Sequence, residues 1–149
     1  MIQETAVILG GKHVDERGVM SFVNDFDMTQ VKRFYKIKHV NTITVRGWRA
    51  HKIEQRWFHV IEGVFLISVV EIDNWITPKN DVVQTSYQLA ADDVSVLYVP
   101  KGYATSIRAL TPIAEMIVFG DYAIEHAKLD DHLFSPDYFI NLNETNNET

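Results

Sequence analysis

The sequence predicts an all-β fold, a sandwich or barrel of many short strands, on three observations. Apolar residues recur with period two along most of the chain, β-branched and aromatic residues gather in short runs, and turn residues punctuate those runs at regular spacing. With 149 residues and 46% hydrophobic content, the chain has enough apolar material for the core of one domain. That domain is expected over residues 1–140, with residues 141–149 as a flexible tail, because NLNETNNET has almost nothing to bury.

In chain order, the expected strands begin with Ala6–Leu9, an apolar run, and Val19–Asn24, which follows the turn Asp15-Glu16-Arg17-Gly18. Val31–His39, Thr42–Arg49 and Gln55–Glu62 come next, and Glu62-Gly63 supplies the turn into Val64–Asp73. The stretch Thr77-Pro78-Lys79-Asn80-Asp81 separates that strand from Val82–Leu89, and Ala91-Asp92-Asp93 leads into Val94–Val99. Pro100-Lys101-Gly102 turns the chain into Thr105–Ala109, and Thr111-Pro112 into Ala114–Gly120. After Tyr122 the segment AIEHAKLDDHLF predicts a short C-terminal helical turn or two.

A formal charge of −6 argues against nucleic acid or an anionic membrane as a partner, since both attract basic surfaces. There is no cysteine, which excludes disulfides, thiolate metal sites and cysteine nucleophiles. The N-terminal apolar run is too short and too poorly flanked for a signal peptide, and no later segment approaches about 18 uninterrupted apolar residues. A soluble, cytoplasmic protein is the expectation.

Chemistry concentrates in Val45 to Gly63, VRGWRAHKIEQRWFHVIEG, with three arginines and two histidines among aromatic residues. Residues two apart on a strand share a face, so Arg49 and His51 project together. Arg46 has the wrong parity unless Gly47 marks a bulge, which would bring Arg46, Arg49 and His51 onto one concave face.

Arg49-Ala50-His51, with Glu54 following and Pro100-Lys101-Gly102 later, resembles the layout of a cupin-type metal site. Only His51 and Glu54 are good ligands there, because guanidinium has no lone pair to give and Thr105 and Ser106 stand where a further histidine would be. No metal or other cofactor is expected. The second candidate chemistry is proton transfer beside a carbonyl, with His51 as base, Arg49 stabilising an enolate, and Arg46 and Arg17 gripping phosphates.

Asp15-Glu16-Arg17-Gly18, Val31-Lys32-Arg33-Phe34-Tyr35, Arg46-Gly47-x-x-Ala50-His51-Lys52, Glu62-Gly63 and Val99-Pro100-Lys101-Gly102-Tyr103-Ala104 occur in that order. Together they resemble the cupin-fold enzymes of nucleotide-linked 4-keto-6-deoxy sugars. These are the dTDP-4-dehydrorhamnose 3,5-epimerases and the WxcM/FdtA-type sugar 3,4-ketoisomerases. The resemblance implies a cupin (RmlC-like) double-sheet β-barrel or jelly roll, a homodimer, no metal, and a dTDP-sugar substrate used in deoxysugar and surface polysaccharide biosynthesis. It gives Arg17 and Arg46 to the diphosphate, proton transfer to His51, and a pocket position to Gln55, with Lys52 within the same motif. The Asp130-Asp131-His132 run falls where ketoisomerases carry an acidic C-terminal segment.

Arg49 stands where the family has its principal histidine. The alternative to an isomerase is therefore a nucleotide-sugar or carbohydrate binding protein without catalysis. His59, with the parity of Trp57 and Ile61, is expected inside the barrel, as a core residue or a substrate contact. Among the tyrosines, mostly core candidates, Tyr103 follows a tight turn and is the first candidate for a catalytic phenol. Glu54 has a simpler reading as a surface partner of Lys52 or Arg56. His13 and His39 read as loop or strand-end residues.

Overall fold

The computed structural model describes residues 4–141. Its elements are β1 (Ala6–Leu9), β2 (Gly11–Asp15), β3 (Gly18–Phe22), β4 (Arg33–His39), β5 (Val45–His51), β6 (Arg56–Glu62) and β7 (Val64–Glu71). They continue as β8 (Asp81–Val82), β9 (Thr85–Ala90), β10 (Ser95–Val99), β11 (Tyr103–Ala109) and β12 (Ala114–Gly120). A single helical turn, α1 (Ile124–Ala127), runs into a 3-10 turn at Lys128–Asp130, and two short strands, β13 (His132–Leu133) and β14 (Ile140–Asn141), close the described chain.

Two five-stranded sheets make the body, in the orders β1-β10-β6-β12-β4 and β13-β5-β11-β7-β9. The inner faces of both supply one core: Phe58, Val60, Leu97, Met116 and Val118 from the first sheet meet Phe65, Ile67, Leu89 and Ile107 from the second. Period-two alternation makes this possible, since β12 buries every other residue from Ala114 to Gly120. A second cluster, Trp48, Ala50, Val70, Ile72, Ala104 and Phe139, lies on the outer face of the second sheet. The returning C-terminal chain covers it: Trp48 Nε1 donates to the Pro136 carbonyl at 3.0 Å, and Trp48 and Phe134 exchange backbone hydrogen bonds.

Three expectations need correction. The hairpin β2–β3 stands as its own two-stranded sheet, and Gly11–Asp15 is a strand that the alternation of GKHVD does not announce. Val82–Leu89 is two strands, because β8 leaves the sheet to pair in parallel with β14 while β9 pairs with β7. Asn141 belongs to β14 rather than to the expected tail, which from residue 142 on lies outside the described residues. Among the described residues no helix is long and apolar enough to cross a membrane.

Candidate active site

Simple alternation along β5 would put Arg46 on the face opposite Arg49. Against β11, Thr105 stands opposite Arg49 and Ile107 opposite Arg46, so two steps on β11 span three on β5. The additional residue is a bulge at Gly47, whose φ is +147°. A Cβ there would come within 2.8 Å of both Ser106 Cα and the Thr105 carbonyl oxygen, so this backbone path requires glycine. Arg46, Arg49 and His51 therefore share the inner face, while Trp48 and Ala50 point into the outer cluster.

That inner face opens into a cavity of about 390 Å³ lined by Tyr35, Lys36, Arg46, Arg49, Arg56 and Thr105 among others. A second cavity of about 280 Å³, lined by Arg33, Tyr35, Arg49, His51, Lys128 and Asp131, shares Tyr35 and Arg49 with the first. Some of these cations have carboxylate partners: Lys36 pairs with Glu115 at 3.1 Å, Arg33 with Glu54 at 3.1 Å, and Arg49 with Asp131 at 2.9 Å. Among the described residues, Arg46 and Arg56 have none within 4 Å.

Arg56 is the telling case, because it is 4% exposed. Its Nη2 donates to Thr105 Oγ1 at 2.7 Å and its guanidinium lies over the Phe58 ring at 5.1 Å. Its charge acts on the buried Glu54 carboxyl without forming an ion pair within 4 Å, which leaves a direct partner for a ligand anion in the cavity to supply. In a chain of net charge −6, this wall focuses positive potential where it can hold phosphate.

His51 lies at the end of β5 and is 7% exposed. Its Nδ1 is 2.7 Å from the main-chain oxygen of Asp130, which can only accept, so Nδ1 carries the proton. Nε2 is then the bare lone pair, and it is buried with no partner. Burial, then the positive charges of Arg56, Arg49 and Arg33, push the imidazole down from 6.5 to about 3, against the opposing effect of the Asp130 carbonyl. The ring is neutral at pH 7.

Asp130 is held in turn by the β5–β6 turn. Its carboxylate, 1% exposed, accepts from the backbone N–H groups of Lys52 at 2.7 Å, Ile53 at 3.0 Å and Glu54 at 2.8 Å. Glu54 is itself buried and bonded to Arg33, not a surface partner of Lys52 or Arg56. Burial raises its carboxyl, and Arg33 and Arg56 pull it back. Gly120 makes room for it, since a Cβ there would lie 2.7 Å from Glu54 Oε1. Among the described residues, no three His, Cys, Asp or Glu side chains are grouped to hold a metal ion.

The other expected site residues lie elsewhere. Arg17 sits on the exposed turn of the β2–β3 hairpin, ion-paired with Asp15 at 2.6 Å. Gln55 is tied to Asp121 and accepts from the Tyr98 hydroxyl, on the outer face beside Trp57. His59 points outward too, with Nδ1 at 2.8 Å from the Ser95 carbonyl, because Phe58 and Val60 take the inner parity of β6. Lys52 is exposed, with Nζ 6.0 Å from the centre of the Trp75 ring. Tyr103 has the inner parity but lines a separate cavity with Glu71, Thr85 and Tyr87.

Sequence reasoning missed Arg33, Lys36, Arg56 and Lys128 as wall residues and His39 as a buried one, and it ranked Tyr35 behind Tyr103 among the candidate phenols. The signal for Arg56 was the parity of β6, which an equally apolar outer face obscures.

Fold and site together define a double-sheet barrel of the cupin, RmlC-like type with a cation-lined inner cavity. No protein-family model and no curated protein matches the sequence. Solved structures do. The sugar 3,4-ketoisomerase QdtA from Thermoanaerobacterium thermosaccharolyticum, in complex with TDP, superposes with a TM-score of 0.69 at 18% identity, covering 93% of each chain. ChmJ, a 3′-monoepimerase from Streptomyces bikiniensis in complex with dTDP-quinovose, gives 0.73 at 16% identity over 89% of this chain and 70% of that one. The dTDP-4-dehydrorhamnose 3,5-epimerase from Sulfolobus tokodaii gives 0.73 at 18% identity over 91% of this chain and 80% of that one. The chain shares their fold.

Proposed function

We propose that this protein is an isomerase of a dTDP-linked 4-keto-6-deoxyhexose, working by proton transfer from its own side chains. One observation carries the reading: His51, whose buried Nε2 has no partner, lines one cavity together with Arg49, and Arg49 also lines the adjoining cavity with Arg46 and Arg56, which form no ion pair among the described residues. The fold shared with QdtA, ChmJ and the epimerase supports it. Arg46, Arg56 and Lys36 bind the diphosphate, and Arg49 faces the sugar carbonyl. His51 Nε2 takes the proton from the carbon beside that carbonyl, and the electron pair moves onto oxygen, where Arg49 donates to the enolate. The imidazolium then returns its proton to the former carbonyl carbon, while the proton of the adjacent hydroxyl passes to the enolate oxygen, so that hydroxyl becomes the new carbonyl and the keto group moves by one carbon.

A histidine held near 3 is a weak base in the free protein. Burial depresses it most; a bound diphosphate offsets the further part that comes from the charges of Arg56, Arg49 and Arg33, so the substrate itself raises the basicity of Nε2 in part. With Arg49 permanently protonated, one base is available, which favours 3,4-ketoisomerisation over 3,5-epimerisation, where base and donor work on opposite faces. Tyr35, common to both cavities, takes the role of phenol that the sequence assigned to Tyr103.

The same low basicity of His51 favours a second reading, binding of a nucleotide sugar without turnover. A homodimer and a cytoplasmic location belong to either reading; exposed Val14, Val19 and Met20 on the β2–β3 hairpin favour a partner copy there. The test is incubation with dTDP-4-keto-6-deoxyglucose in deuterated water, followed by NMR. Exchange at C3, alone or with C4, supports the ketoisomerase, and exchange at C3 and C5 the epimerase. Binding without exchange leaves only the binding protein.

A further inference from the structure

His39 ends β4 on the first sheet, and Arg46 is the second residue of β5 on the second sheet, just across the connecting loop. The imidazole is 4% exposed, packed edge-on to the Phe65 ring at 5.4 Å. Arg46 Nε donates to His39 Nε2 at 3.0 Å. Because guanidinium only donates, Nε2 must hold the lone pair and Nδ1 the proton. That Nδ1 is buried with no partner.

This arrangement is unfavourable for packing alone. A buried donor without an acceptor costs its desolvation free energy, which a leucine against Phe65 would avoid. What the imidazole adds is the bond to Arg46. We propose that His39 is a positioning residue, fixing Arg46 through Nε so that both terminal nitrogens of the guanidinium are presented together to a phosphate or diphosphate group in the cavity. The inference rests on the anionic-ligand part of the proposed function.

The physics is that of preorganisation. Arginine has a long, freely rotating side chain, and immobilising it on binding costs entropy. A bond at Nε sets the guanidinium plane before the ligand arrives and leaves the terminal pair, the half of the fork that meets two phosphate oxygens, with no hydrogen-bond partner among the described residues. The inner-face bulge at Gly47 and the His39 bond are thus complementary: the first sets which way Arg46 leaves the strand, and the second sets where its head rests.

The test uses the full chain and two variants, His39→Leu and His39→Gln; glutamine Oε1 can accept from Arg46 Nε and leucine cannot. Binding of inorganic pyrophosphate and of dTDP is measured by calorimetry, the Arg46 Nε–H resonance by NMR, and folding by thermal melting. His39→Leu should stay folded, release the Nε–H to rapid solvent exchange, and bind pyrophosphate about tenfold more weakly; His39→Gln should recover most of that loss. On an Arg46→Met background, His39→Leu should cost nothing more. A folded His39→Leu that binds pyrophosphate as the wild type does, or a loss additive with Arg46→Met, overturns the inference. If the wild type binds pyrophosphate but not dTDP, the nucleotide-sugar reading falls and this one stands; if it binds neither, both fall.

Discussion

His51 Nδ1 and the main-chain oxygen of Asp130 lie 2.7 Å apart, which ties the tautomer of the proposed base to a residue 79 positions later in the chain. Asp130 can serve this way because its own carboxylate is locked onto the backbone of residues 52–54. Asp130→Ala should therefore act on both ends. It strips acceptors from three buried or half-buried N–H groups, for a loss of roughly 3 kcal/mol or more in urea unfolding. In the wild type, nitrogen NMR should find the proton of His51 on Nδ1 at pH 7; a proton on Nε2 would sink the base assignment.

His51 also predicts a pH dependence of stability. Its pKa is 6.5 when unfolded and about 3 when folded, so the unfolded state binds the proton more readily. The stability it contributes is complete above pH 6.5 and is lost as pH falls toward 3, at about 1.4 kcal/mol per pH unit. Glu54 works in the opposite sense, since its raised carboxyl favours the folded state as pH falls. Comparing wild type with His51→Asn removes that common background. Between pH 6 and 4 the wild type should lose up to roughly 3 kcal/mol more than the variant. Parallel stability profiles would show that His51 is not held neutral by the fold.

The barrel and the convergence on β5 were legible because they rest on local rules. Alternation marks strands, and Gly47 is the one residue that can reset the parity between Arg46 and Arg49. Arg56 was hidden because β6 is apolar on both faces, with Phe58 and Val60 inside and Trp57 packed on Tyr98 and Phe26 outside, so alternation does not say which set is the core. His59 was misplaced by the same ambiguity, whereas Gln55 owed its pocket position to the resemblance and lies on the outer face. Burial of His39, Glu54 and Asp130 depends on partners 7, 21 and 76 or more positions away, which no window on the sequence reveals.

If the cavity takes an anionic ligand as proposed, Asp131 is the counter-ion that competes with it for Arg49. The pair is 2.9 Å long and its side chains are 51% and 36% exposed, so it adds little to stability. Asp131→Asn should leave the unfolding free energy within about 1 kcal/mol of wild type. It should also tighten pyrophosphate binding severalfold, because one competing anion leaves the cavity wall. Weaker binding in this variant would mean that Asp131 organises Arg49 instead of competing for it.

Gly47 is where fold and site meet most directly. At φ +147°, with Ser106 Cα and the Thr105 oxygen 2.8 Å from where a Cβ would sit, alanine is opposed by both conformation and space. Gly47→Ala should cost roughly 2–4 kcal/mol if the bulge persists. If instead the chain relieves the clash by returning to regular pairing with β11, Arg46 moves to the outer face while Arg49 and His51 stay inside. The two outcomes separate by measurement. A strained but intact bulge lowers the melting temperature and leaves pyrophosphate affinity near wild type. A lost bulge weakens pyrophosphate binding as far as Arg46→Met does, and rescue by lowering the temperature is not expected. A variant that matches wild type in both stability and binding would contradict the claim that glycine is required here.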